Sequence, residues 1–486
     1  MSQKTLKEKT VNGLMWGSIN NAIMLLMNLL FGIFLARLLS PSDYGMVGML
    51  TVFSAIAATF QESGFTSALV NKKNVSHEDF NSVFWFNTLV GFCLYWILFF
   101  SAPLIANFYH QPKLIPLARF FFLAIFISAT GIAHHAVIYT SLKIRERSIS
   151  QIIALFVSGI IGVALAYSGM AYWGIAIQNI LYVAITNGLY WYFSKWCPSF
   201  EFSFSPLKEM LGFSSKILLT GLFNVLNGNI FSILLGKFYS SADVGYFTQA
   251  NKWNSMGISM INNTINGISQ PVFSKVEDEK TRQLRIFRKM LRFTAFVSFP
   301  CMLGLALIAK DLIVMTITDK WLNSVVIMQL LCLWGAFFPV STLFSNLIIS
   351  KGKSNVQMWN NILLGAIQIV TMIVSYPYGI MTMITIYVAI NICWLASWQY
   401  FVNREIGLKW TELLADICPF ILIACIAVAG GYFGSLMLDN IYVRLVGKIL
   451  ITAFIYLLIM KMTNAVVFKE SMRFVLSKFP SRSRLS

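Results

Sequence analysis

Apolar runs of about 20 residues, broken by short polar connections, recur from end to end of this chain. Within them the hydrophobic side chains follow one another without the strict alternation of a half-buried strand. The pattern therefore predicts helices that cross a bilayer and excludes a membrane β-barrel. The predicted spans are 11–36, 45–68, 82–107, 114–139, 149–168 and 172–194, then 213–238, 244–270, 288–309, 324–349, 356–375 and 381–402, and finally 414–437 and 443–463. The expected fold class is all-α: a polytopic membrane protein of about 14 transmembrane helices around a central cavity. Lys4, Lys7 and Lys9 precede the first run, but that run is long, carries Asn20, Asn21 and Asn28, and lacks a small-residue cleavage site, so it reads as an uncleaved span.

The pattern also repeats. Residues 36–45 read A-R-L-L-S-P-S-D-Y-G and residues 236–245 read G-K-F-Y-S-S-A-D-V-G. Ser40/Ser240, Asp43/Asp243 and Gly45/Gly245 are identical across that offset, and Arg37/Lys237 keep the charge. In a second register Ser141 meets Ser350 before basic stretches, and Tyr167 meets Tyr376 in short breaks between apolar runs. The expected organisation is a six-helix repeat over 1–198, a second over 199–403, two additional helices over 404–463 and a basic cytoplasmic tail over 464–486. An even number of spans per repeat gives both halves one orientation, with the cleft between them as the default substrate path.

Composition agrees, with 57% hydrophobic and only 12% charged residues and a mean hydropathy of +0.70. The net charge of +18 suggests nucleic acid until its distribution is read. With basic residues at span ends assigned to the loop they border, 27 of the 37 Lys and Arg fall on the side of the N-terminus. Seven fall opposite (Arg37, Lys113, Lys237, Lys310, Lys320, Arg444 and Lys448). That asymmetry puts both termini in the cytoplasm and removes the need for a nucleic-acid partner. The seven cysteines are scattered, mostly inside apolar runs, and read as packing residues.

Ser40-Pro41-Ser42-Asp43 has the form of a capping box, with a hydroxyl at the N-cap, proline at the first helical position and a carboxylate three residues on. Ser240-Ser241-Ala242-Asp243 repeats it. Each opens the second helix of its half, and Gly45 and Gly245 permit close helix packing just inside the membrane. With this L-S-P-S-D-Y-G turn, the six-plus-six-plus-two plan and the basic loops, the chain resembles the polysaccharide transporter family, the Wzx-like flippases. These belong to the multidrug/oligosaccharidyl-lipid/polysaccharide exporter superfamily. The resemblance implies a bacterial inner-membrane flippase that moves undecaprenyl-pyrophosphate-linked oligosaccharide outward for O-antigen, capsule or exopolysaccharide assembly. Membrane lipids and the polysaccharide polymerase and export machinery are the further partners it implies. No cofactor is expected, and a proton or sodium gradient is left as the coupling source.

The eighth span is more polar than a lipid-facing helix tolerates. Thr248, Lys252, Ser255, Ser259, Asn262, Asn266 and Gln270 are spaced by three or four and form one stripe, which must face protein or water. Lys252 lies about 8 residues, or roughly 12 Å, inside the noncytoplasmic end of this span, where a lysine needs hydration or a partner. Lys216, Thr220, Asn224 and Asn227 form a similar stripe on the seventh span, Lys216 being placed either to meet ligand or to snorkel. Asn21 and Asn28 share a face of the first span, which also suits interhelical hydrogen bonding. Substrate contact is thus expected at Lys252, Asn224, Asn227, Ser255, Ser259, Asn262, Asn266, Lys216, Asn21 and Asn28.

Gln61 and Glu62 either hold a coupling cation or, preferably, reach the interface, and Arg119 snorkels or pairs. His134 and His135 are adjacent, so one helix cannot aim both at one ligand, and a structural role is expected. The run Lys275, Lys280, Arg282, Arg285, Arg288, Lys289 and Arg292 is read as setting topology and holding anionic headgroups. Phe468, Met472, Val475 and Phe479 follow helical spacing and predict a helix lying on the cytoplasmic leaflet. Nothing resembles a nucleophile elbow, a P-loop or a metal motif, so a transporter is expected, not an enzyme. A phosphate-bearing substrate calls for cations in the cavity, whereas an ion-coupled multidrug exporter, the alternative, calls for buried carboxylates, which the first and seventh spans lack.

Overall fold

A computed structural model describes residues 3–62, 69, 75–200, 203, 205–275, 279–463, 465 and 467–470. Among these residues all regular structure is helical. The chain divides into two compact units, Met1–Gly245 and Tyr246–Ser486. The division falls inside the first turn of a helix, later than the sequence repeat at 198/199, so the first unit takes in the whole of the seventh expected span.

The first unit holds α1 (Gln3–Leu38), α2 (Pro41–Glu62), α3 (His77–Phe108), three short pieces α4 (Leu114–Phe121), α5 (Leu123–Ala129) and α6 (Ile132–Thr140), then α7 (Ile144–Tyr167), α8 (Tyr172–Ser194), α9 (Ser205–Phe238) and the start of α10 (Ser241–Lys275). The second holds the rest of α10, α11 (Lys280–Ile317), α12 (Asn323–Ser350), α13 (Ser354–Ser375), α14 (Ile380–Cys393), α15 (Leu395–Ile406), α16 (Trp410–Gly434) and α17 (Ile441–Met462). Among the described residues ten helices are long and apolar enough to cross a bilayer. They become eleven if Leu114–Ala129 and Ile132–Thr140, bent by 41° at their junction, form one span. The other three expected spans coincide with α8, α9 and α10, of 23, 34 and 35 residues. Each is long enough, at 1.5 Å per residue, to cross a hydrocarbon core of about 30 Å, but more polar than the rest.

Both repeated turns fold as capping boxes of the same geometry. Ser40 Oγ and the Ser40 amide donate to Asp43 Oδ2 at 2.6 and 2.9 Å, and the Asp43 amide donates back to Ser40 Oγ at 3.2 Å. For Ser240 and Asp243 the same three bonds measure 2.6, 3.1 and 3.2 Å. The boxes then meet. A Cβ at Gly45 would collide with the carbonyl oxygen of Ser241, and one at Gly245 with that of Pro41. Ser42 Oγ and Ser241 Oγ lie 2.7 Å apart. The glycines were expected to permit close packing; here each is the space into which the other repeat's helix start fits.

The bent fourth span frees carbonyls that the bilayer cannot satisfy. Side chains from other helices reach them: Gln61 Nε2 donates to Ile125 O at 2.6 Å, Asn187 Nδ2 to Ile127 O, and Trp191 Nε1 to Thr130 O at 3.0 Å. Gln61 is buried, and its Oε1 accepts from Ser128 Oγ at 2.8 Å. It therefore does not reach the interface as expected, because the break in the helix consumes its amide. Glu62 has its side chain outside the described residues.

In the second unit α11 packs against α12, α16 and α17. Pro300 has no N–H for the carbonyl of Phe296 one turn back, and Tyr456 Oη donates to that oxygen at 2.8 Å instead. Of the expected C-terminal surface helix, Phe468 sits in a helical stretch over 467–470, and Met472, Val475 and Phe479 lie outside the described residues.

Candidate functional site

Helix α10 starts at the second capping box and is amphipathic in an inverted sense. One face buries Phe247, Ala250, Trp253, Ile261 and Ile265 in the protein. The other presents the predicted polar stripe: Ser255 and Asn266 are exposed, and Thr248, Lys252, Ser259 and Asn262 are half-buried. Hydroxyl and amide groups left open on a helix face are not suited to hydrocarbon. The side chain of Gln270 lies outside the described residues.

Because the helix begins at Ser241, Lys252 sits about 16 Å along it, further from its start than the sequence boundary implied. Among the described residues Lys252 has no hydrogen-bond or ion-pair partner. Ser259 Oγ donates to its own helix at Met256 O, 3.0 Å, and Asn262 Oδ1 is buried without a partner. Asn266 Oδ1 accepts from Asn346 Nδ2 at 2.9 Å, and Asn346 also donates to Ser269 Oγ at 2.7 Å. Asn346, on α12, thus anchors the C-terminal part of the stripe. Sequence reasoning passed over it, although an amide inside the apolar run 324–349 was the signal.

The remaining predicted contacts stand on the first unit. Asn224 is exposed and Asn227 half-buried on α9, while the side chain of Lys216 lies outside the described residues. Asn21 and Asn28 are exposed on α1. Asn28 Nδ2 donates to Met24 O of its own helix at 2.8 Å, whereas the interhelical bond belongs to Asn20, whose Nδ2 donates to Gln151 Oε1 on α7 at 2.9 Å.

His134 is fully buried, with Nδ1 2.9 Å from Ser194 Oγ and its ring 4.1 Å from that of Trp191, and His135 stacks on Tyr190 at 5.4 Å. Both play the structural role expected of them. Among the described residues Arg119 has no carboxylate partner; its guanidinium lies 4.5 Å over the ring of Phe99. The basic run is less free than its sequence suggests. Arg288 pairs with Asp416 at 2.6 Å and Glu412 at 2.7 Å, Arg292 with Asp416 at 3.1 Å, and Lys289 with Glu470 at 2.7 Å. Arg288 and Arg292 thus fasten α11 to α16, and Lys289 reaches the segment after α17.

A second charged cluster went unnoticed in the sequence. Asp311 on α11 is 1% exposed. Its Oδ1 accepts from Arg444 Nη2 at 2.8 Å and Nε at 3.0 Å, and its Oδ2 from Lys448 Nζ at 2.6 Å. Arg444 and Lys448, counted above among loop cations, are one turn apart on α17. Their i, i+4 spacing beside an isolated acid in another span was the available signal.

The model of a family described as "Polysaccharide biosynthesis protein" matches residues 34–326. The lipopolysaccharide biosynthesis protein WzxC of Escherichia coli (strain K12) is 24% identical over 365 residues, 74% of this chain and 73% of that one. The teichuronic acid biosynthesis protein TuaB of Bacillus subtilis (strain 168) is 23% identical over 437 residues, 89% of this chain and 86% of that one. Among solved structures the lipid II flippase MurJ in its inward closed conformation superposes with a TM-score of 0.75 at 15% identity, covering 93% of this chain and 98% of that one, a likeness of fold.

Proposed function

The chain belongs to the polysaccharide biosynthesis protein family, and from that premise we propose that it is an inner-membrane flippase. Its cargo in this reading is an undecaprenyl-pyrophosphate-linked oligosaccharide, moved to the noncytoplasmic face by alternating access for polysaccharide assembly. It is a multi-pass helical membrane protein; the fourteen spans, the cytoplasmic termini and the identity of the cargo belong to the proposal. The asymmetry of Lys and Arg supports the orientation.

One observation carries the reading: among the described residues Lys252, about 16 Å along α10, has no carboxylate partner and stands on a face of hydroxyls and amides. A buried unpaired charge is costly unless water or a ligand anion attends it. A pyrophosphate supplies that anion, and Ser255, Ser259, Asn262 and Asn266 supply the donors and acceptors a sugar chain exchanges for water. On the first unit, Asn224, Asn227, Lys216, Asn21 and Asn28 are assigned as further polar contacts for the cargo. The prenyl tail stays in lipid, since no polar wall would admit it.

The multidrug reading is weaker. A lipophilic cation needs an available carboxylate, the runs 11–36 and 213–238 have none, and the buried Asp311 is already held by two cations. The test is a proteoliposome assay with a defined pyrophosphate-linked glycolipid, scored by accessibility of the sugar on the far leaflet. Translocation that depends on the protein and on the pyrophosphate is expected. Exchange of cationic drugs for protons or sodium, with no glycolipid movement, would replace this reading by the multidrug one.

A further inference from the structure

Helices α11 and α17 do not close on one another along their whole length. Between Pro300, Gly304 and Ile308 on one and Lys448, Thr452 and Tyr456 on the other lies a groove of about 440 Å³. Its floor is built by the proline kink, where Tyr456 caps the freed carbonyl of Phe296. Its wall is open at Gly304, where a Cβ would meet nothing within 4 Å. The outer face of α17 around it is apolar and bare: Ile449 is 45% exposed, Leu457 46% and Phe454 67%. In a bilayer this face meets acyl chains, so the groove opens to lipid and not to an aqueous path.

The head of the groove is charged. Lys448 lines it and shares Asp311 with Arg444, so two cations stand on one carboxylate and the cluster carries an excess of one positive charge. Arg444 is 34% exposed and uses Nε and Nη2 on Asp311. Lys448 Nζ has three donor positions and Asp311 takes one. An apolar slot with unspent, cationic donors at one end matches a molecule with an acyl chain and a phosphate. Basic pockets between membrane helices are where anionic headgroups are held.

We propose that this groove is a binding site for an anionic glycerophospholipid, with its phosphate on Arg444 and Lys448 and one acyl chain lying along Gly304 between α11 and α17. The bound lipid completes the packing of α17 and balances the excess charge of the Asp311 cluster. The site is separate from the polar face of α10 and does not depend on the cargo assigned to that face.

The experiment is native mass spectrometry of the full-length protein released from nanodiscs containing equal phosphatidylglycerol and phosphatidylcholine. The expected result is one retained phosphatidylglycerol per chain, preferred at least about tenfold over phosphatidylcholine, as one charge-assisted contact of about 1.5 kcal/mol requires. Gly304→Leu, which fills the slot and leaves the ion cluster intact, abolishes retention of both lipids. Lys448→Met, which leaves Asp311 paired with Arg444 and removes the excess charge, abolishes the preference. Equal retention of the two lipids by the wild type, or undiminished retention by Gly304→Leu, overturns the proposal. Retention of an added polyprenyl phosphate in place of phosphatidylglycerol also overturns it, because the groove would then hold a different lipid. Should Lys448→Met fail to fold, Gly304→Leu decides the matter alone.

Discussion

Two lysines of the second unit lie inside long helices, Lys252 on α10 and Lys448 on α17, and were treated very differently by the fold. Lys448 has Asp311 at 2.6 Å, is 10% exposed and shares its acid with Arg444. Lys252 has hydroxyls and amides along its face and no acid among the described residues. The first is a bolt: it shares Asp311 with Arg444 and ties α17 to α11, leaving one positive charge on the cluster. The second has no such partner among the described residues, and the proposed function gives it the cargo's anion. A charged side chain within a span is therefore a functional candidate only after its partners are known, and sequence position does not separate the two cases.

The comparison breaks most visibly at the shared acid. Asp311→Ala leaves Arg444 and Lys448 facing each other without their carboxylate and is expected to cost about 3–5 kcal/mol, the loss typical of stripping one partner from a buried pair. Thermal unfolding in detergent and membrane abundance should both fall, and wild-type stability would show that α17 does not depend on the cluster.

Next comes Lys252→Ala, expected to leave unfolding and abundance unchanged while glycolipid flipping drops about 10- to 100-fold, the equivalent of one charge-assisted contact of about 1.5–3 kcal/mol. Lys252→Arg retains more activity because it keeps a phosphate-pairing charge, though in a different geometry. A Lys252→Ala protein that unfolds early but flips normally when folded would put Lys252 in the same class as Lys448.

Lys448→Met sharpens the contrast from the other side. Asp311 keeps Arg444 and the methionine fills the same volume, so a loss of only about 1 kcal/mol in stability is expected, with little change in flipping. Smallest of all is Lys289→Ala. The Lys289–Glu470 pair has both side chains about half exposed or more, and removing it should change stability by less than about 1 kcal/mol. A larger effect would mean that the segment after α17 is held by this contact.

Much of the fold was legible because it is written at short range. The capping boxes at Ser40 and Ser240 need only a hydroxyl and a carboxylate three residues apart, and both formed with the same bonds. The stripe on α10 needs only a spacing of three or four, and Ser255 and Asn266 do lie on an open face. Gln61 was misread for the opposite reason: its role is set by a break in a helix 64 residues away, whose free carbonyl it meets. The carboxylates that pair with Arg288 in the first turns of α11 were out of reach of local reading likewise, since Asp416 lies 128 residues further on.

The chain's own order of residues determined that it is helical, that it spans a membrane many times, where two of its helices begin and which helix carries a polar face. Those properties follow from hydropathy and from spacings of a few residues, within reach of a single turn or span. Only the tertiary structure decided that Gly45 and Gly245 each make room for the other repeat, that Asp311 pairs with Lys448 while Lys252 has no partner among the described residues, and that a lipid-sized groove lies beside Gly304. Those are pairings between positions about 130 to 200 residues apart. Hydropathy specifies which side chains leave water but carries no distance between them, so which charge is cancelled and which is left for a ligand is fixed by packing alone.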